Sequence, residues 1–160
     1  MPFKLQIIGS GPIETELRAL ISKHKLDNDI ELRGGMAFAD VLDTLEKADV
    51  FCLAPRMIPG QPPDGIPNVI AEAMALRVPV VSTSVSAIPE LVEHGTSGVL
   101  VPTDDVDGFA QALKRLSAEP DYAMKLSNAA AEKVGHRFDQ NRNITELLAL
   151  FDRYVPGQVL

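Results

Sequence analysis

The feature that most constrains the fold is the alternation of short apolar runs with segments of helical period along the whole chain. Such alternation is typical of parallel strands joined by right-handed helical crossovers. The run Val-Pro-Val-Val at 78–81 is continuously apolar, as expected for a strand that is covered on both faces. The pattern therefore predicts an α/β domain with a doubly wound parallel sheet, and the length of 160 residues predicts one domain spanning 1–160.

The same periodicity gives approximate bounds for each element. The predicted strands are 4–8, 30–33, 49–54, 78–82 and 98–101. The predicted helices are 14–24, 39–47, 67–76, 88–93, 106–117, 121–134 and 143–154. One connection, 56–64, contains three prolines and exceeds the usual length of a βα loop. Because ligands of open α/β sheets bind at the carboxyl ends of strands, this loop marks a candidate site.

Composition excludes several classes of protein. The net charge of −7 argues against a broad basic surface for nucleic acid or an anionic membrane, so no nucleic-acid partner is expected. The sequence has no apolar run of about 18 residues, the length of a membrane span. A single cysteine, Cys52, excludes an intrachain disulfide and fits a reducing cytoplasm, which is the expected location.

The segment DGIPNVIAEAMA carries the most specific chemistry. Asp64 precedes a predicted helix and Glu72 lies inside it, and helical positions eight apart share a face with a rise of about 12 Å. Between them the first helical turn offers free N–H groups, expected from Ile66, Asn68 and Val69. A carboxylate, an anion-binding turn and a second carboxylate match the sugar, diphosphate and ribose of a nucleotide sugar. The alternative is that Asp64 caps the helix and Glu72 is a solvated surface residue.

The stretch DGIPNVIAEAMALRVPVVSTSVSAIPELVEHGTSGVLVP resembles the C-terminal, donor-binding half of family 4 (group 1) retaining glycosyltransferases, which have the GT-B fold. The segments IIGSGP, IELRGGM, ADVFCLAP and DDVDGFAQAL resemble further parts of the same half, in the same order. The similarity covers essentially the whole chain. Each motif is weak by itself, whereas seven in the right order and spacing are a strong signal.

The resemblance implies roles at matching positions. Glu72 matches the glutamate that holds the ribose, and Asp64 matches the acidic residue, usually glutamate, that contacts the donor sugar, so these two are the candidate catalytic residues. Met36 falls where backbone groups meet the base. Arg56 lies near the motif and is a candidate phosphate contact. The turn around the sugar and phosphates matches Gly65, Ile66, Pro67, Asn68 and Val69.

The chain departs from the family pattern in two ways. Aspartate at 64 shortens the reach to the sugar by one methylene. The family's first strand, its Gly-Arg loop and its nearby lysine, which bind the diphosphate, have no match, and Lys4 falls within a predicted strand. We therefore expect a donor-binding domain that is incomplete at its N-terminus and lacks the acceptor domain. Without the central strand, its neighbours either pair directly or leave exposed edges that favour self-association.

Other polar groups have ordinary structural interpretations. Asp104, Asp105 and Asp107 precede a predicted helix, so capping is expected rather than a metal site, and the resemblance implies neither metal nor cofactor. Cys52 is expected to be an inert core thiol. His94 is expected in a surface turn, and no histidine has ligand partners at metal spacing. The hydroxyl residues Ser82, Thr83, Ser84 and Ser86 are expected to form a polar loop.

The resemblance implies retaining transfer of a sugar from a UDP-, GDP- or ADP-linked donor to an acceptor hydroxyl, with this chain supplying the donor site. The acceptor, a sugar or lipid-linked glycan of polysaccharide biosynthesis, is expected to bind the missing domain. The full-length enzyme is expected at the inner membrane face or free in the cytoplasm. The isolated chain is expected to be inactive, because the diphosphate-binding cations are missing. The alternative is a non-catalytic nucleotide-binding or scaffold module.

Overall fold

A computed structural model describes residues 2–58, 60 and 65–154. It forms two compact units, one up to Thr44 and one from Leu45 on. All five predicted strands and seven predicted helices are found within the described residues, with ends that move by at most three positions. None of the helices in these ranges has the length and apolar character needed to cross a bilayer.

The first unit contains a two-stranded parallel sheet. Leu5 aligns with Ile30 and Ile7 with Leu32 across the pair, so apolar side chains of the two strands lie side by side. Gly9, directly after the first strand, and Gly34, the last residue of the second, adopt positive φ values, which glycine tolerates. The elements are β1 (Leu5–Ile8), α1 (Glu14–Lys23), β2 (Ile30–Gly34) and α2 (Phe38–Glu46), whose last residues belong to the second unit.

The first unit has little core of its own. None of its described residues, 2–44, is buried, and α1 has no buried position. A two-stranded sheet without a packed face is marginally stable. We therefore expect its backbone amides to exchange with solvent through openings of low free energy. The amides of residues 70–74 and 80–83 in the second unit should instead exchange with free energies that approach that of global unfolding. Amide hydrogen exchange measured by NMR checks this, and equal protection in the two units would contradict it.

The second unit contains a three-stranded parallel sheet in the order β3-β4-β5. Phe51 aligns with Val80 on one side of the central strand, and Val99 aligns with Val81 on the other. Its strands are β3 (Phe51–Leu53), β4 (Val80–Thr83) and β5 (Val99–Val101). Its helices are α3 (Asn68–Ala75), α4 (Ile88–Leu91), α5 (Val106–Ala118), α6 (Pro120–Arg137) and α7 (Gln140–Tyr154).

Both faces of this sheet are covered, because alternate residues of each strand enter different cores. Val80 packs with α3, α4 and the second half of α6 on one face, and Val81 packs with α5 and the first half of α6 on the other. In the same way Phe51 and Leu53 face the first core, whereas Cys52 faces the second. The predicted doubly wound α/β architecture is thus confirmed.

Each sheet has outer strands. Within the first unit β1 and β2 pair only with each other, and within the second unit β3 and β5 each pair only with β4. Each of these outer strands therefore has one edge without a strand partner among the described residues of its own unit.

Helix α3 is held at its C-terminal end by an unusual cap. Arg77 adopts a φ of 60° where glycine is usual, and its N–H donates to the Met74 carbonyl at 3.1 Å. The Val78 N–H donates to the Ala73 carbonyl at 2.9 Å, which completes a Schellman motif. The Arg77 guanidinium also donates to Asn128 of α6 at 2.7 Å. This contact links the end of α3 to a second helix and helps to fix its direction.

Candidate functional site

The start of α3 offers backbone donors that have no acceptor among the described residues. Its N-cap is Pro67, which has no side-chain oxygen, and the first turn contains no acidic residue. The Ile70 N–H donates to the Pro67 carbonyl at 3.0 Å. The N–H groups of Asn68 and Val69 precede any helical acceptor, so they remain available to a ligand. Free N–H groups and the positive end of the helix dipole favour an anion here.

Glu72 lies on the same side of α3, one turn further along. Residues 68 and 72 are four positions apart, so they share a helix face with a rise of about 6 Å. The Glu72 side chain is half-buried, and among the described residues its carboxylate has no hydrogen bond or ion pair. A half-buried carboxylate without a protein partner is free to accept hydrogen bonds from ligand hydroxyls.

The opposite side of α3 determines this presentation. Ile70, Ala73 and Met74 are fully buried against the sheet and the second half of α6. Their spacing of three and four residues defines the apolar face, which leaves Asn68 and Glu72 on the other side. Burial of about 1.5–3 kcal/mol per large apolar side chain fixes the rotation of the helix about its axis.

A second polar feature lies at the carboxyl ends of β3 and β5. An open cavity of about 430 Å³ is lined by Arg56, Met57 and Ile58 from the first loop and by Thr103 and Asp104 from the second. Arg56 is exposed and has no hydrogen bond or ion pair with the described part of the chain. Asp104 adopts a φ of 67°, a conformation in which aspartate is tolerated.

The structure brings only part of the predicted site together. Asn68 and Glu72 share one face of α3, the Val69 side chain packs against the core with its N–H in the first turn, and Gly65 and Ile66 lead into the helix. Arg56 lies instead in the wall of the cavity with Thr103.

Two further predicted residues lie elsewhere. Met36 is half-buried in the first unit, in the connection between β2 and α2. Asp64 lies outside the described residues, so its predicted place beside Glu72 stays a prediction. The N-cap position is held by Pro67 rather than by Asp64.

One interpretation of polar residues was wrong. Ser82 and Thr83 are buried residues of β4, not part of a polar loop. The Ser82 hydroxyl donates to the Leu53 carbonyl at 2.8 Å, and the Thr83 hydroxyl donates to the Pro55 carbonyl at 2.5 Å. Their position at the end of an apolar strand is the sequence signal that indicates this role. A hydroxyl there is satisfied by the neighbouring strand's carbonyls.

Other expectations agree with the structure. Asp105 is the N-cap of α5 and accepts from the Gly108 N–H at 2.9 Å, as predicted for the acidic cluster. Burial raises the pKa of the Cys52 thiol, so less of it is the reactive thiolate at neutral pH. His94 is exposed in the turn before β5, and its Nδ1 accepts from the Leu100 N–H at 3.1 Å.

Comparisons with known proteins identify relatives of the chain. It is 41% identical over 150 residues to WcaL of Escherichia coli, a protein assigned as a colanic acid biosynthesis glycosyltransferase. It is 34% identical over 151 residues to the amylovoran biosynthesis glycosyltransferase AmsK of Erwinia amylovora. These alignments cover 91% and 94% of the chain, but the chain spans 37% of the length of each relative.

A solved structure and a family model agree with these relatives. The Anabaena protein Alr3699/HepE in complex with UDP-glucose superposes with a TM-score of 0.78 at 24% identity, over 91% of this chain and 40% of that one. This likeness shows that the two share a fold. The family model described as Glycosyl transferases group 1 matches residues 2–119. On these grounds the chain belongs to the group 1 glycosyl transferase family.

Proposed function

We propose that this chain binds a nucleoside diphosphate sugar and supplies the donor half of a retaining sugar transfer. The observation that carries the proposal is the face of α3. Free N–H groups at Asn68 and Val69 lie one turn from a half-buried carboxylate, Glu72, that has no partner among the described residues. A diphosphate fits the helix start, and ribose hydroxyls fit the carboxylate.

The remaining residues extend this assignment. Gly65 and Ile66 bring the chain close to the sugar and phosphates ahead of the helix. Asp64 accepts hydrogen bonds from hydroxyls of the donor sugar. The Arg56 guanidinium donates to the anionic part of the donor. No metal ion or cofactor is required in this proposal, because the helix start and arginine supply the positive charge.

In the proposed sugar transfer, negative charge develops on the leaving diphosphate. The bond between the anomeric carbon and the diphosphate oxygen breaks, and its electron pair leaves with the diphosphate. The sugar passes through an oxocarbenium-like state, and the acceptor hydroxyl adds on the face from which the diphosphate departs, passing its proton to the departing diphosphate oxygen. Fixed N–H donors at Asn68 and Val69 stabilise the growing negative charge more strongly than water, because they need no reorganisation.

Acceptor and location are also proposed from the relatives. WcaL and AmsK are named for colanic acid and amylovoran biosynthesis, which supports a polysaccharide precursor as acceptor. The crystal structure of HepE is a complex with UDP-glucose, which supports a UDP-linked donor.

We propose that the acceptor binds a separate domain in the cytoplasm. The 160 residues alone have negligible transfer activity, because the Gly-Arg loop and lysine of the resemblance have no counterpart among them.

Calorimetric and NMR titration of the chain with UDP, GDP and ADP tests the proposal. We expect saturable binding of one nucleotide, with amide shifts at Gly65, Ile66, Asn68 and Val69. UDP-glucose is then compared with UDP to measure the contribution of the sugar. A folded chain that binds none of the three would contradict the proposal and favour the scaffold alternative. Binding without amide shifts at the start of α3 would place the site elsewhere.

A further inference from the structure

Two hydroxyl side chains are buried at the end of the central strand of the second unit. Ser82 is 0% exposed and Thr83 is 4% exposed, beside the apolar Val80 and Val81 of the same strand. Burying a hydroxyl group without a hydrogen-bond partner costs free energy. The two hydroxyls are tolerated in this position because each of them has a partner. Both hydroxyls donate to carbonyls of the chain that leaves β3, namely those of Leu53 and Pro55.

These bonds continue the alignment of the two strands beyond the end of β3. The strand ladder stops at Leu53, which aligns with Ser82. Pro55 lies two residues further on, has no N–H of its own and receives the Thr83 hydroxyl at its carbonyl. The side chain thus holds a segment that backbone pairing no longer holds.

The held segment leads directly to the cavity at the carboxyl edge of the sheet. Arg56 follows Pro55 and forms one wall of the cavity, while Thr103 and Asp104 form the other. The chain that leads to the second wall is held nearby, because the N–H of Ser84, the residue after β4, donates to the Val101 carbonyl at 2.8 Å. Thr83 and Ser84 are therefore each bonded to the chain that leads to one of the two walls.

We propose that Thr83 is a positioning residue for donor binding, supported by Ser82. Its hydroxyl fixes the exit of β3 so that the Arg56 guanidinium is presented to the anionic part of the nucleotide sugar. The ligand that we assign to Arg56 rests on the proposed function. The role of the Thr83 hydroxyl in fixing the chain after β3 does not depend on that assignment. The cavity wall formed by Arg56 loses its defined position when the hydroxyl is removed.

The test compares Thr83→Val, which keeps shape and strand propensity, with Thr83→Ser, which keeps the hydroxyl. Thr145→Val is the matched control, because the Thr145 hydroxyl also donates to a backbone carbonyl, that of Asn141 in α7. The first readout is backbone ¹⁵N relaxation of residues 54–58. We expect greater nanosecond mobility of this segment in Thr83→Val and the original rigidity in Thr83→Ser and Thr145→Val.

The second readout is the affinity for UDP, GDP and ADP. We expect Thr83→Val to weaken binding of the preferred nucleotide about fivefold, the factor given by loss of one hydrogen bond. Because Thr83 acts through Arg56, the same substitution in an Arg56→Gln background has a smaller effect than in the original chain. Thr83→Ser restores the affinity.

The outcomes separate the inference from the proposed function. Equal order of residues 54–58 in the original chain and in a folded Thr83→Val variant overturns the inference. If residues 54–58 become more mobile in Thr83→Val but the nucleotide affinity does not change, only the role of Thr83 in donor binding is overturned. An original chain that binds no nucleotide overturns the proposed function, whereas the relaxation readout still decides whether Thr83 fixes the exit. Should Thr83→Val not fold, slow solvent exchange of the Thr83 hydroxyl proton in the original chain supports the bond, and rapid exchange contradicts it.

Discussion

Replacing Glu72 by glutamine is expected to weaken nucleotide binding by about 10- to 100-fold. Hydrogen bonds to a charged group contribute about 1.5–3 kcal/mol, and each 1.4 kcal/mol is a factor of ten in affinity. Glutamine keeps the size of the side chain but accepts through only one oxygen. Since Glu72 has no partner among the described residues, the substitution should change stability by no more than about 0.5 kcal/mol. Calorimetry with UDP, GDP and ADP measures the change in affinity.

A ligand substitution identifies what Glu72 binds. If its carboxylate accepts from the ribose, the original chain discriminates against the 2′- or 3′-deoxy form of its preferred nucleotide, and Glu72→Gln loses that discrimination. The control is Glu132→Gln, because Glu132 is an exposed residue of α6 on a different helix. Equal affinity of the original chain and Glu72→Gln would contradict the assignment and favour the surface alternative for this residue.

Replacing Gly98 by alanine is expected to destabilise the second unit by about 2–3 kcal/mol. A Cβ at this position would lie 2.6 Å from Cγ1 of Val92 and 3.1 Å from the carbonyl oxygen of Val80. Val92 is 0% exposed and cannot swing into solvent, and the carbonyl belongs to the central strand. Overpacking of such a core costs about 1–3 kcal/mol. Urea unfolding followed by circular dichroism measures it.

Two variants show that contact, rather than loss of a glycine, is the cause. Gly135→Ala lies in α6 with nothing within 4 Å of its Cβ, so it should stabilise the helix by up to about 1 kcal/mol. Combining Gly98→Ala with Val92→Ala removes the clashing methyl groups, and the double variant should be more stable than the sum of the two single changes predicts. Additive losses, or a neutral Gly98→Ala, would contradict the packing argument.

Much of the fold could be predicted from periodicity, but the strand ends could not. The strand predicted at 78–82 is Val80–Thr83 in the structure. Its start moves because the Val78 N–H is used by the cap of α3, and Pro79 has no N–H to give to a ladder. The helix predicted at 121–134 continues to Arg137 because Gly135 is accommodated without strain. The periodicity within one element does not predict where it ends when a neighbouring element uses the same backbone groups.

The site was predictable where it depends on local chain geometry. The free N–H groups of Asn68 and Val69 follow from a helix that begins after Pro67, and Glu72 follows from the helical repeat. The position of Ser82 and Thr83 at the end of an apolar strand signals their burial, but their acceptors were not predictable, because these lie on the chain that leaves β3, about 29 residues earlier. The cavity wall at Asp104 likewise depends on the alignment of separate strands.

The central claim is that the start of α3 holds the diphosphate of a nucleotide sugar. A crystal structure of the chain with UDP, or with the nucleotide that binds most tightly, tests it most directly. The account predicts phosphate oxygens within hydrogen-bond distance of the Asn68 and Val69 N–H groups, with ribose hydroxyls on the Glu72 carboxylate. A nucleotide bound elsewhere, with the α3 face unoccupied, would contradict it.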